Sequence, residues 1–445
     1  MNRKVVYGIF IGVVIGLFVM ILAFAKDPKA AVSNEPAPHR GTYAMSAEWL
    51  NTEKAIESLK TDLETRPEDT KVMIQLAQAY IQEGRNTGDH AYYDKATLEL
   101  TNKVLTLEPQ NFEALCCEGT VLLSQHHFSD ALETAKKASV VNPSSAFVYG
   151  MMVDAYVELG NYEEAVKCCD QMISTRPDIR SYARVSYLRE IYGDIPGAIS
   201  AMKLAVAAGY TGLEQTEWCR VQLGKLYEQV GAADSAKYCY ELALYNRTDY
   251  AFALAGMARI EKANKNYSAA IDYLKKANEQ INEYSFYEEL AELYRLNGNT
   301  VQADSAMSTA IAMLGPGATT NENIVGHGHY ADRELALAYS AIGNNDKALE
   351  HALTEYKRRP ENIDIQETMA WTYYKAGYYY LAEHYMRMAL RTGKKNPETL
   401  MRAGLIKMKV GLTLKGEQYF QMAQSMGPFL DNDLKAEASV YLSKK

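Results

Sequence analysis

The chain has 445 residues, a formal charge of −8 and a sequence pI of about 5.7. Acidic and basic residues are interspersed, so the basic face that would neutralise a phosphate backbone is missing and nucleic acid is not expected as a partner. Proline is scarce, at 12, among abundant helix formers, which suits one long helical array better than several unrelated domains.

The chain opens with two basic residues, Arg3 and Lys4, followed by an uncharged apolar run of 21 residues, Val5 to Ala25. As a helix this run would span about 30 Å, the thickness of a bilayer core. It predicts a single-pass anchor within residues 1–25, with the remainder of the chain on the extracytoplasmic side. A cleaved signal competes with that reading, because Ala23-Phe24-Ala25 has the A-x-A form that ends signal peptides. Cleavage after Ala25 would make the rest secreted or periplasmic. Gly8, Gly12 and Gly16 share one helix face, the small-xxx-small spacing through which two membrane helices approach, and form a candidate dimerisation surface.

Residues 26–44, with Pro36 and Pro38, read as a linker. Trp49, Ile56, Leu59 and Leu63 then mark the apolar stripe of a helix that caps an array over residues 45–70.

The array is announced by Pro109, Pro143 and Pro177, spaced 34 residues apart. Between the last two, Gly160-Asn161-Tyr162 reads as the turn of a helix pair: Gly160 ends one helix and Tyr162 opens the next. Similar markers run from 71 to 428 in about ten pairs. Examples are Leu76-Ala77 with Tyr80, Gly119 with Ala131 and Ala138, Tyr156 with Ala165, and Leu223-Gly224 with Tyr227, Ala236 and Ala243. Further along come Leu290-Ala291 with Tyr294 and Ala303, and Leu335-Ala336 with Tyr339, Ala348 and Pro360. Small residues sit where helices must cross closely. Two places break the rhythm. The turn between Gly84 and Lys95 is longer by about eight residues, and Gly315 to His329 is a Gly/Thr/Asn-rich insertion; long connections of this kind are either functional or merely tolerated at a surface. Residues 429–445 read as a polar capping helix.

These markers resemble the tetratricopeptide repeat (TPR) superfamily over essentially all of 71–428. The stretches Ser181 to Glu190, Thr216 to Gly224 and Asp332 to Leu337 further resemble a group of uncharacterised bacterial and plant TPR proteins. The resemblance implies an all-α, right-handed superhelical solenoid that acts as a protein-interaction scaffold, and it supplies no catalytic activity.

In such a superhelix the first helix of each pair lines the concave surface. The register places Phe147, Trp218, Lys225, Phe252, Arg259, Arg295, Tyr330, Arg333, Trp371 and Tyr374 there, together with Asp154, Val221, Glu288 and Glu292. Aromatic rings beside mixed charges make a candidate groove for an extended peptide or helix from a partner protein. The Lys and Asn pair with which some relatives grip chaperone tails is absent, since the equivalent positions hold Cys116 and Thr120, Gly150 and Asp154, and Val221 and Lys225.

No catalytic constellation is found: neither a phosphate-binding glycine loop nor G-x-S-x-G occurs. No cofactor or metal is expected. Gly326-His327-Gly328-His329 lacks the further ligands of a closed metal site, and His126-His127 read as solvated turn residues. Glu163/Glu164 and Glu288/Glu289 are placed at or near helix starts, where the helix dipole favours negative charge. The six cysteines, with no CxxC, are read as small buried residues, with disulfides between neighbouring helices as the alternative.

Overall fold

A computed structural model describes residues 35–36, 39–40, 47–318 and 329–442. The chain divides into two units, Met1–Pro36 and Ala37–Lys445, and the helical array belongs to the second. The expected membrane segment, its glycine face and its cleavage site lie outside the described residues. Among those residues no helix is long and apolar enough to cross a membrane.

The described residues form 22 helices and no strand. Helix α1 (Ala47–Thr65) leads into ten antiparallel pairs. These are α2 (Thr70–Thr87) with α3 (His90–Leu107), α4 (Phe112–Ser124) with α5 (Phe128–Val141), α6 (Ala146–Glu158) with α7 (Tyr162–Thr175), and α8 (Ile179–Ile191) with α9 (Ile195–Ala208). Next come α10 (Glu214–Gln229) with α11 (Ala233–Asn246), α12 (Ala251–Ala263) with α13 (Tyr267–Gln280), and α14 (Tyr284–Leu296) with α15 (Thr300–Ala318). The last three are α16 (Asp332–Ala341) with α17 (Asn345–Arg358), α18 (Ile363–Lys375) with α19 (Tyr379–Ala389), and α20 (Pro397–Lys409) with α21 (Thr413–Ser425), after which α22 (Asn432–Leu442) closes the array.

Local rules explain the boundaries. Pro109, Pro143, Pro177 and Pro360 each stand two residues beyond the end of a second helix, where a residue without an N–H ends the ladder at no loss. Asp69, Asn111, Asp178, Asn362 and Asn396 cap first helices by accepting from backbone amides. The marker alanines Ala77, Ala131, Ala165, Ala236, Ala303 and Ala348 are fully buried at helix crossings, where a larger side chain would force the backbones apart. The six thiols are all free, and five are buried. Burial pushes Cys116 and Cys117 up to about 12, which leaves them protonated and inert.

A single helix packs against each end of the array. Ile56 of α1 joins the first core cluster with Leu59 and Leu63 packed against it, and Leu434 and Ala438 of α22 are buried beneath the last pair. The expected long turn after Gly84 is corrected. The connection is only Gly88-Asp89, and the surplus residues lengthen α2 and α3 to 18 residues each, against 14 in α5. The helices grow because Tyr80, Tyr92 and Tyr93 pack ring on ring, with centroids 5.1 to 6.3 Å apart.

The array coils until it meets itself. His126 Nδ1 binds the Tyr330 carbonyl at 2.8 Å, and Asn362 Nδ2 donates to the Glu158 carbonyl at 2.9 Å; both pairs are 204 residues apart. That separation is six of the 34-residue periods marked by the prolines. The within-pair turns of the first five pairs accordingly lie against the loops that lead into α14, α16, α18, α20 and α22. Along this seam the Tyr330 amide donates to Gln125 O at 3.1 Å, and the Ile363 amide donates to the Tyr162 hydroxyl at 2.9 Å. Arg391 reaches the Gly160 carbonyl at 3.4 Å.

The turn glycines record the same division. A Cβ on Gly160 would collide with the Glu361 carbonyl, and one on Gly193 would collide with the Gly393 carbonyl. Gly298, Gly343, Gly377 and Gly411, in the turns of the last four pairs, meet nothing within 4 Å. Gly160 and Gly343 share a left-handed backbone, with φ +81° and +76°. Alanine at Gly343 is therefore expected to cost about 1 to 2 kcal/mol for the backbone alone. Gly160→Ala should cost at least about twice that and enlarge the radius of gyration in small-angle scattering. Equal losses in thermal unfolding, with no expansion, would show that the seam does not hold the coil.

Candidate functional site

Coiling turns the concave face into a lumen lined by the first helices. Its wall is built from ion pairs between consecutive repeats. Arg184 Nε donates to Asp154 at 2.9 Å, Arg259 to Glu228 at 3.1 Å and to Glu289 at 3.3 Å, and Lys262 to Glu292 at 2.8 Å. Further along, Lys394 binds Asp364 at 2.5 Å and Arg402 binds Glu367 at 2.8 Å. These partners stand 30 to 35 residues apart. Opposite charges one repeat apart are thus the sequence signal that would have disclosed Arg184, Lys394 and Arg402, which the register of aromatic residues passed over.

Tyr187 stands on the lumen wall with its ring partly open, beside Asp154 and Glu158. Its side chain is 41% exposed, yet burial raises its phenol well above the ordinary value. Lys225 behaves alike: it is exposed, and desolvation with Arg259 nearby lowers its ammonium. Burial, reinforced by Glu334 and Glu289, pushes Glu288 up to about 7. On the opposite side Lys394 and Arg333 overcome the burial of Asp364 and hold it down at about 2.

Two cavities open on this wall. One of about 290 Å³ is lined by Lys225, Gln229, Arg259, Asn396, Glu398 and Phe429, among others, where α10 and α12 approach the loops around α20. Another of about 350 Å³ includes Ser124, His126, Phe128, Asp154, Glu158 and Tyr187. Groups of histidine, cysteine and carboxylate able to hold a metal ion are absent among the described residues.

The residues expected to line the groove divide into three sets. Phe147 (39% exposed) and Trp218 (40% exposed) keep open faces, and Lys225 and Arg259 border the first cavity. Phe252 is half-buried and meets Tyr250 and Phe286 edge-on at 5.6 and 5.9 Å. Arg333 pairs with Glu334 at 3.4 Å, and Arg295 faces Asp433 of the closing helix at 3.8 Å. Four placements are corrected. Trp371 and Tyr374 are buried in the C-terminal core, stacked at 5.1 Å, with the Tyr374 hydroxyl donating to Glu437 at 2.5 Å. They face that way because α22 covers them. Tyr330 belongs to the seam, its ring held between His127 at 4.0 Å and Arg358 at 3.9 Å. Val221 is fully buried in the wall.

Other expectations change for the same reason. His127 is buried rather than solvated, and His126 lies 4.2 Å from His329, the described end of the second insertion. Glu288 and Glu289 are the fifth and sixth residues of α14, past its first turn, and face the lumen. Arg359 is the central cation of the seam, pairing with Glu158 across it and with Glu355 one turn back at 2.5 Å.

Ten helix pairs stacked at this step, with small residues at every crossing, define a tetratricopeptide-type α-solenoid. A family profile described as ChAPs (Chs5p-Arf1p-binding proteins) matches residues 51–172. The BBSome complex member BBS4 of Bos taurus is 22% identical over 241 residues, 50% of this chain and 44% of that protein, so the chain spans less than half the length of this curated relative. Among solved structures, the chain is similar to a thermophilic TPR protein, TTC0263, of Thermus thermophilus. The identity is 22%, over 45% of this chain and 98% of that one, with a TM-score of 0.34. It is also similar to a human IFIT1 dimer with PPP-AAAA, at 15% identity over 84% of this chain and 86% of that one, with a TM-score of 0.46.

Acid should loosen the seam at His126. Burial and the adjacent His329 lower its imidazole. Below the ordinary value of about 6.5, the unfolded chain therefore takes up a proton that the seam refuses, and stability falls as pH falls. Glu158, which burial raises to about 6, and Glu288, at about 7, act with the opposite sign in the same range. The informative quantity is a difference. His126→Asn keeps a side-chain donor and tolerates the left-handed backbone at φ 63°. Its stability relative to the native chain should rise as pH is lowered from about 7 to 5; a difference independent of pH, measured by urea unfolding, would remove His126 as the acid-sensitive group.

Proposed function

We propose that the chain is a binding scaffold, acting by capture rather than turnover, whose lumen receives an extended segment of a partner protein. The coiled concave wall carries this reading: first-helix side chains face one shared space, and Lys225, Tyr187 and Trp218 keep polar or aromatic surface open on it. A preformed groove lowers the ordering cost of binding a flexible segment. An adaptor role in a multiprotein assembly fits both the helical-repeat architecture and the membership of the BBS4 relative in a complex.

The apolar run from Val5 to Ala25 supports placing this scaffold on a membrane, with the array on the extracytoplasmic side. An anchor would raise the array's effective concentration towards partners on the same surface. The Ala23-Phe24-Ala25 site favours the second reading, a cleaved and secreted peptide- or glycan-binding protein. Alkaline extraction of membranes should leave the full chain in the pellet and release a chain lacking residues 1–25. A mature protein beginning at Lys26 would instead establish the secreted form.

The lumen reading is tested by placing a photo-cross-linking amino acid at Tyr187 or Trp218, with Tyr245, 85% exposed on a second helix, as the outward control. Cross-links to a partner segment are expected from the first two positions and not from the third. The reverse pattern would locate binding on the outer surface and overturn the lumen as the site.

A further inference from the structure

The seam uses the loops leading into α14, α16, α18, α20 and α22, which leaves the starts of α6, α8, α10 and α12 on an open rim of the lumen. That rim has a composition unlike the rest of the wall. Phe147 and Phe252 are the second residues of α6 and α12, Arg180 holds the same place in α8, and Trp218 is the fifth residue of the longer α10. The Arg180 guanidinium lies 5.7 Å over the Phe147 ring. Arg85, at the end of α2, lines a small cavity with Arg247, Tyr250, Phe252, Glu214 and Asp249.

Arg85 and Arg180 are exposed, and neither side chain has an ion-pair partner among the described residues. Desolvation lowers the Arg180 guanidinium, Asp178 opposes this, and Arg184, Arg85 and Arg176 add like charge. Asp178 is itself engaged in capping α8 and in pairing with Arg176 at 3.2 Å. At one mouth of its channel a chain of net charge −8 thus presents two guanidinium groups without ion pairs among the described residues, Arg85 and Arg180, beside open aromatic faces, with Glu214 and Asp249 as the neighbouring carboxylates.

We propose that this rim binds an acidic, extended peptide segment, its carboxylates on Arg85 and Arg180 and its apolar side chains on Phe147, Trp218 and Phe252. The assignment rests on the lumen reading above and adds the chemistry of the partner. Guanidinium groups accept carboxylates in a forked geometry, and guanidinium over a ring leaves room for a second apolar contact. A nucleic acid fits less well. A phosphate backbone would need positive charge along its whole path, whereas the wall beyond the rim presents Glu158, Glu190, Glu288 and Glu289.

The test uses the full chain and a fluorescein-labelled peptide of about twelve residues alternating Asp or Glu with Phe or Leu. Its counterpart with Lys for every acid and a single-stranded oligonucleotide of equal length are the comparison probes. Fluorescence anisotropy should show binding of the acidic peptide, weakening with salt, with no binding of the Lys peptide. Arg85→Glu with Arg180→Glu should reduce that affinity by about tenfold or more. Phe147→Ala with Trp218→Ala should also reduce it, with the helical circular-dichroism signal retained in both variants. Affinity unchanged by the charge reversal, absence of acidic-peptide binding, or preference for the oligonucleotide would each overturn the assignment. Binding that survives the rim variants and falls on Lys225→Glu would move the site inward, leaving the lumen reading intact while the rim fails. Failure of the lumen itself is seen separately, in the cross-linking pattern.

Discussion

The structure depends on a contact between parts of the chain six repeats apart. An ordinary solenoid is held by neighbours alone, and its stability is close to a sum of repeat and interface contributions. Here the turns at Gln125, Glu158 and Gly160 meet the residues at Tyr330, Arg359, Asn362 and Arg391. The first such contact must bear most of the ordering penalty of closing the coil, and each later one then forms between surfaces already side by side. The seam is therefore cooperative along its length. Its polar character suits this role, because backbone carbonyls and ring faces that could be hydrated when apart are satisfied specifically when together.

Closure also decides how the charges on the first helices behave. On an open concave face, pairs such as Arg259 with Glu228 and Glu289 would be screened by solvent and contribute little. Within the channel they lose hydration, and each charge then requires its partner. Arg259 joins three consecutive repeats, and Glu367 joins Lys394 and Arg402, at 3.6 and 2.8 Å. The lattice fixes the angle between repeats more firmly than alanine crossings alone would. Lys225 and Glu288 stand apart from it, and the arginines at the rim do too. Groups left outside a lattice of this kind are the ones with interaction capacity to spare for a ligand.

Local features were the legible part of this chain. Proline spacing, the Gly160-Asn161-Tyr162 turn and the small residues at crossings act over one or two helices, so the helix pairs and the buried cysteines follow from them. What could not be read was where the coil meets itself. Gly160 and Gly343 look alike in sequence, and only the six-repeat contact makes one crowded and the other open. Tyr330 shares its register with Phe147 yet serves the seam, and Trp371 and Tyr374 share the general pattern of groove residues yet are covered by α22. The two irregular stretches, at Gly84 and before His329, bear on the seam: Gly88 approaches Ile281, and His329 approaches His126. Gly88 and His329, the described residues that meet the seam beside these stretches, carry no mark in the sequence of that contact.

A closed channel restricts the shape of whatever enters it. The two wall cavities, about 290 and 350 Å³, stand at the lower end of the range for small-ligand pockets and match a side chain or two rather than a folded domain. A bulky partner would have to open the seam, and binding could drive that opening only through a preference for the open coil large enough to exceed the seam's stability. A flexible segment entering from the rim needs no such preference. It passes the aromatic and arginine groups first and meets the mixed-charge wall afterwards, so discrimination by charge can occur at the mouth before the interior is engaged. On the proposed reading, the same seam that builds the channel would favour partners that present a disordered or extended stretch of chain.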